Sequence, residues 1–190
     1  MEAFVVKAEQ KEQFKREVLP AGTYLGTLYS IVDLWTQAWE YMGESTLQRK
    51  IRLSWELPQE MRVFSEEKWP QPMALHWELT LSFWEKAHLN KLISSWRGKA
   101  VEKDESIDLA SFIGKNCILT TAIKTSKKWA DYNIITGVWP LMKGMEEKAQ
   151  INEELLYTIN MGMNDVFVWL PQFLKDKIQL SKEWVDVVPF

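Results

Sequence analysis

Leu75-His76-Trp77-Glu78-Leu79-Thr80-Leu81-Ser82-Phe83 alternates apolar and polar residues without a break. That period of two is the signature of a strand with one buried face. The period then changes. Leu89, Leu92, Ile93 and Trp96 follow an i, i+3, i+4, i+7 spacing, which predicts a helix over about 84–96 with one buried stripe, ended by Gly98.

Toward the N-terminus, Ile51, Leu53, Trp55 and Leu57 alternate with Lys50, Arg52, Ser54 and Glu56, a second strand that Pro58 should end. Thr23 to Leu34 reads as one long strand, with Gly26 marking a bend or bulge. Residues 36–47 read as a polar loop carrying Trp39, Tyr41 and Gly43, and 61–72 as irregular. Toward the C-terminus, a short helix is expected at Ser106–Phe112, with Ser106 as its cap and Gly114 as its stop. Asn116 to Lys124 and Tyr132 to Trp139 then form a hairpin, with Tyr132, Ile134, Thr136 and Val138 on one face.

The order strand, strand, strand, helix, strand, strand is that of the five-stranded oligonucleotide-binding (OB) barrel, which carries its helix between strands three and four. Another small barrel or an open α+β sheet fits the same order. The expected class is therefore mainly β: an OB-fold barrel over 21–140, an N-terminal extension over 1–20 and a C-terminal extension over 141–190 packing on the barrel. Within that last segment, 155–161 reads as a short strand or helix, and 165–178 as an amphipathic stretch interrupted at Pro171.

A chain of 190 residues that is 46% hydrophobic can bury a sizeable core. No apolar run is long enough to span a bilayer, and the first residues lack a signal-peptide pattern, so a cytoplasmic protein is expected. The single cysteine, Cys117, fits that compartment. A net charge of -3 argues against a generally basic coat, while leaving room for a local basic groove. Eleven tryptophans exceed what one small core readily hides, so some should be exposed for binding.

No phosphate loop, dinucleotide fingerprint, zinc motif or nucleophile elbow is present. His76 and His88 read as surface histidines, and the acids at 102–108 and 146–154 as solvated charge rather than a Mg²⁺ site. The expectation is a binding protein rather than an enzyme, with no catalytic residue, metal or cofactor. OB barrels take single strands across strands two and three and the loops joining one to two and four to five. Those places carry Trp35, Trp39, Arg49, Lys50 and Arg52, then Lys124, Lys127, Lys128, Trp129 and Tyr132. Cations suit phosphates and flat rings suit unpaired bases. Trp129, after two lysines in a polar turn, is the leading stacking candidate. Trp55, Trp77 and Trp96 share the parity of their apolar neighbours and read as core. The partner expected is single-stranded DNA, or RNA by the same chemistry. An interaction module without nucleic acid is the alternative reading, because tryptophan is enriched at binding hot spots. A homodimer through exposed sheet edges is compatible with either.

Several segments resemble a family of phage single-stranded-DNA-binding proteins associated with replication and recombination. These are Ala21-Gly22-Thr23-Tyr24 through Ile31-Val32-Asp33-Leu34, Arg49 to Pro58, Ser95-Trp96-Arg97-Gly98-Lys99-Ala100, and Ile113-Gly114-Lys115-Asn116-Cys117 followed by Tyr132-Asn133-Ile134. The resemblance covers about 20–145 and implies an OB fold and a role on phage DNA in a host cytoplasm. The chain departs from that pattern in carrying Trp35 and Trp129 where small residues are expected. Its end, Val188-Pro189-Phe190 behind Glu183 and Asp186, resembles the tip of bacterial single-stranded-DNA-binding proteins, which implies docking of replication or recombination enzymes through Pro189 and Phe190.

Overall fold

In the computed structural model, which describes residues 17–41, 43–64, 69–127 and 130–187, one long strand, β1 (Gly22–Tyr41), organises the sheet. Its first part pairs antiparallel with β4 (Asn116–Thr125), from Gly22 opposite Thr121 to Thr27 opposite Asn116. From Thr27 onward it pairs antiparallel with β2 (Glu44–Arg62). β3 (Gln71–Thr80) adds to β2 and β5 (Asp131–Trp139) adds to β4, giving the order β3-β2-β1-β4-β5. A short β6 (Leu155–Tyr157) pairs in parallel with Ser30–Val32 of β1. The architecture is mainly β and barrel-like. β3 and β5 approach each other, but no backbone ladder closes the sheet between them among the described residues. No helix of the described residues is long and apolar enough to cross a membrane.

The alternating positions fill the core as periodicity requires. Ile51, Leu53, Trp55 and Leu57 of β2 meet Leu75 and Leu79 of β3, with Trp77 partly buried beside them. The helix α1 (His88–Arg97) closes this core with Leu89, Leu92, Ile93 and Trp96, and stops at Gly98 in the left-handed conformation. Leu28 and Ile31 of β1 both enter the core although three residues apart, because a register shift at Tyr29 changes the phase of the strand. The bulge therefore lies at Tyr29, not at Gly26. Gly26 serves close packing instead, since a Cβ there would lie 2.7 Å from Leu119 Cδ1.

Four local expectations are corrected. The loop expected at 36–47 is strand: β1 continues to Tyr41, opposite Glu44, and the two strands make a long arm whose turn contains Gly43 at φ +82°. β2 runs past Pro58 to Arg62, because the register shifts between Leu57 and Met61 and a proline is tolerated at such an irregularity. The helix expected at 106–112 is a single 3₁₀ turn, Ala110–Phe112. On β5 the face switches: Ile135 and Val138 are both buried and Thr136 is exposed, because the ladder shifts between Thr120 and Thr121.

The C-terminal segment builds a second core on the other side of β1. Helices α2 (Asp165–Trp169), α3 (Gln172–Gln179) and α4 (Lys182–Val187) pack Phe167, Leu170, Leu174 and Ile178 against Val32, Leu34, Trp35 and Tyr157. The break between α2 and α3 falls at Pro171, as its sequence position requires. Buried Glu56 of β2 ties this segment down by accepting from the backbone N–H groups of Ile151 and Asn152 and from Asn152 Nδ2 at 2.6–2.7 Å.

Candidate nucleic-acid interface

While the odd positions of β2 and β3 fill the core, their even positions form a ladder on the opposite face, here called the outer ladder: Lys50 opposite Thr80, Arg52 opposite Glu78, Ser54 opposite His76 and Glu56 opposite Ala74, with Ser54 and Glu56 buried. Two cavities lie on this surface. The larger, 930 Å³, is lined by Tyr29, Arg62, Phe64, Pro72, His76 and Asn152 among others. The smaller, 210 Å³, is lined by Arg52, Leu75, Tyr132 and Asn133. Both also touch Glu17, Met73, Ala74 and His76, so they are parts of one groove.

Each wall has a traceable cause. Tyr29 reaches the groove because it is the bulged residue of β1. Burial pushes its phenol above the ordinary value, and the nearby Arg52 opposes that shift. Tyr132 reaches the groove because β5 approaches β3 at the open side of the sheet. The segment before β1 is stapled beside it, with Leu19 N–H donating to Asn133 Oδ1 and Asn133 Nδ2 donating to the Leu19 carbonyl. Lys124 stands opposite Tyr132 across the β4–β5 ladder, and Lys127 is exposed in the turn beyond.

The groove's cations already hold carboxylates. Arg62 pairs with Glu17 at 2.9 Å and Glu60 at 3.3 Å, and Arg52 with Glu78 at 3.2 Å. Arg52 also lies 5.3 Å from the ring centre of Phe173 on α3. At the far end of the ladder, Lys50 Nζ sits 4.8 Å over the ring of Trp39, which is 50% exposed on the arm. Burial, and then the neighbouring Lys177, lower the Lys50 pKa from its ordinary value.

The expected site residues thus divide. Arg52 and Tyr132 share a cavity, Lys124 faces Tyr132, and Lys50 meets Trp39. Arm and hairpin turn do not meet directly, since they lie at opposite ends of β1. Trp35 leaves the candidate surface: it is 6% exposed, at φ +61°, and packed against Trp184 with ring centres 5.8 Å apart. Arg49 lines neither cavity: its side chain is 42% exposed, with the guanidinium bound to buried Asp33. Lys128 and Trp129 lie outside the described residues, as do Pro189 and Phe190. Two residues before them are held by the fold. Glu183 accepts from Thr36 N–H and Oγ1, and Trp184 stacks on Phe167 at 5.4 Å.

The sequence reading missed Tyr29, Phe64, Arg62 and the contribution of α3. The sole signal for Tyr29 was a break in the β1 alternation. Phe64 and Arg62 lay in a stretch read as irregular, and Phe173 is separated from Arg52 by most of the chain. Among the described residues, no group of three His, Cys, Asp or Glu side chains could hold a metal ion. No family model matches the chain, and no curated protein matches it.

Proposed function

We propose that the chain binds single-stranded nucleic acid, DNA in the first instance, along the outer face of β2 and β3. The observation that carries this reading is the pair of adjoining cavities that gather Tyr29, Phe64, His76 and Tyr132 with Arg52 and Arg62. Rings at such a site stack bases of any sequence, and the cations hold phosphates. The strand order, with β1 pairing both β2 and β4 and with β3 and β5 near each other, supports reading the sheet as an OB barrel open along one seam. The resemblance of 20–145 to phage single-stranded-DNA-binding proteins supports phage replication or recombination as the setting.

Fluorescence anisotropy with labelled oligo-dT tests this. Each stacked base contributes about 1–3 kcal/mol, so the double variant Tyr132→Ala, Phe64→Ala should bind at least tenfold more weakly. An unchanged affinity removes the groove from the site, and a wild-type protein that retains no oligonucleotide overturns the function.

The second reading, a protein-interaction module, draws on one observation: the C-terminal helices expose Val168, Trp169, Phe173 and Leu180, with Trp169 82% exposed. Purification free of nucleic acid, but with a partner lost on Trp169→Ala and Leu180→Ala, would favour it.

A further inference from the structure

At the outer ladder one carboxylate holds two cations, with a third cation one step along the strand. Glu78 of β3 accepts from Arg52 Nη1 of β2 at 3.2 Å and from Lys177 Nζ of α3. Lys50 lies one step further along the ladder, within the electrostatic reach of both Lys177 and Glu78. Its own hydrogen bonds go to neutral acceptors, Gln48 Oε1 at 2.7 Å and Thr80 Oγ1 at 2.9 Å. One carboxylate therefore stands among three positive charges, and the surplus is crowded on one side of the ladder. The cluster is also accessible. Lys50 and Glu78 border a 360 Å³ cavity with Thr80, Ser82 and His88. An aromatic ring flanks two of the cations, Trp39 at Lys50 and Phe173 at Arg52.

We propose that Lys50, Arg52 and Lys177 form a phosphate-binding site whose anion position is filled by Glu78 in the unliganded protein. A phosphate presents the same charge-assisted acceptors as a carboxylate, with more oxygens to share among three donors. Binding requires Glu78 to rotate aside, which its partial exposure allows. The site is assembled from β2 and a helix of the C-terminal segment, so that segment is part of the binding surface. The strand as ligand rests on the function proposed above; the phosphate site itself does not.

The test compares wild type, Glu78→Gln and Lys177→Gln with two probes: inorganic tripolyphosphate by calorimetry, and oligo-dT by anisotropy over a range of salt. Glu78→Gln removes the competing charge and keeps the side-chain shape. It should bind both probes at least fivefold more tightly at low salt. Its slope of log affinity against log salt should steepen by about 0.7, the value for one added phosphate contact on a single strand. Lys177→Gln should weaken both probes. Tripolyphosphate binding that is unchanged or weaker in Glu78→Gln overturns the proposal and leaves Glu78 a staple for α3. If tripolyphosphate follows the expected order while oligo-dT binds no variant, the phosphate site stands and the nucleic-acid reading falls. If wild type and Glu78→Gln bind oligo-dT equally and tripolyphosphate equally, the reading stands and this site falls.

Discussion

Arg49 of β2 grips the buried carboxylate of Asp33 on β1, Nη2 to Oδ2 and Nε to Oδ1, beside the second register shift of the long hairpin. Asp33 also accepts the backbone N–H groups of Trp35 at 3.0 Å and Ile159 at 3.3 Å. The pair thus fixes the bulge that turns Trp35 into the second core and joins it to the C-terminal segment. Asp33 in turn holds the Arg49 pKa above its ordinary value through that hydrogen bond.

Arg49→Ala should therefore act on stability. Stranding a buried charge costs about 3–5 kcal/mol, and the partial exposure of Arg49 reduces this to roughly 2 kcal/mol. Urea unfolding should show that loss, with oligo-dT affinity within twofold of wild type. A tenfold loss of affinity at unchanged stability would restore Arg49 as a phosphate ligand.

Trp35 and Trp39 lie four residues apart and have opposite fates. Oligo-dT should quench tryptophan fluorescence in Trp35→Phe as fully as in wild type. Trp39→Phe should lose part of the quenching and about 1 kcal/mol of binding, the low end for one stacked base. Equal quenching in both variants would place the strand away from the arm.

Cys117 is fully buried in the first core, and burial pushes its thiol well above the ordinary cysteine range. The thiolate is the reactive form, so native protein should resist a thiol reagent at pH 8 and react stoichiometrically in denaturant. Rapid modification of the native protein would show that β4 opens readily.

Glu105 accepts from Arg97 Nη2 at 2.6 Å and from Glu102 N–H at 2.9 Å, which together hold its carboxyl down at about 2. A depressed carboxylate stabilises the fold above its unfolded pKa of about 4.3 and loses that contribution as pH falls toward 2. Carbon-detected NMR titration of Glu105 should place its midpoint near 2, and Arg97→Gln should raise it. A wild-type midpoint near 4 would mean that the contact does not persist in solution.

The parts of the fold that were legible are those where one face is buried. β2, β3, α1 and the β4–β5 hairpin announce themselves because a half-buried element must repeat at its own period. The arm at 36–47 did not, because much of it is exposed and its strands pair by backbone bonds that leave little pattern in side chains. The groove was half legible. Arg52 and Tyr132 sit where strand order places them, whereas Tyr29 depends on a bulge and Phe64 on a strand that continues past a proline.

By itself the sequence determined which residues are apolar at which spacing, and hence a mainly β chain with one helix between its third and fourth strands. Only the tertiary structure decided what each charge does. Arg49 and Arg52 are two cations of one strand, three residues apart. One is bound to buried Asp33, and the other stands among Glu78, Phe173 and the groove. Periodicity is a local property that burial writes into neighbouring residues. The partner of a charge is whatever the fold brings within a few ångströms, and for Glu78 that is Lys177, 99 residues away.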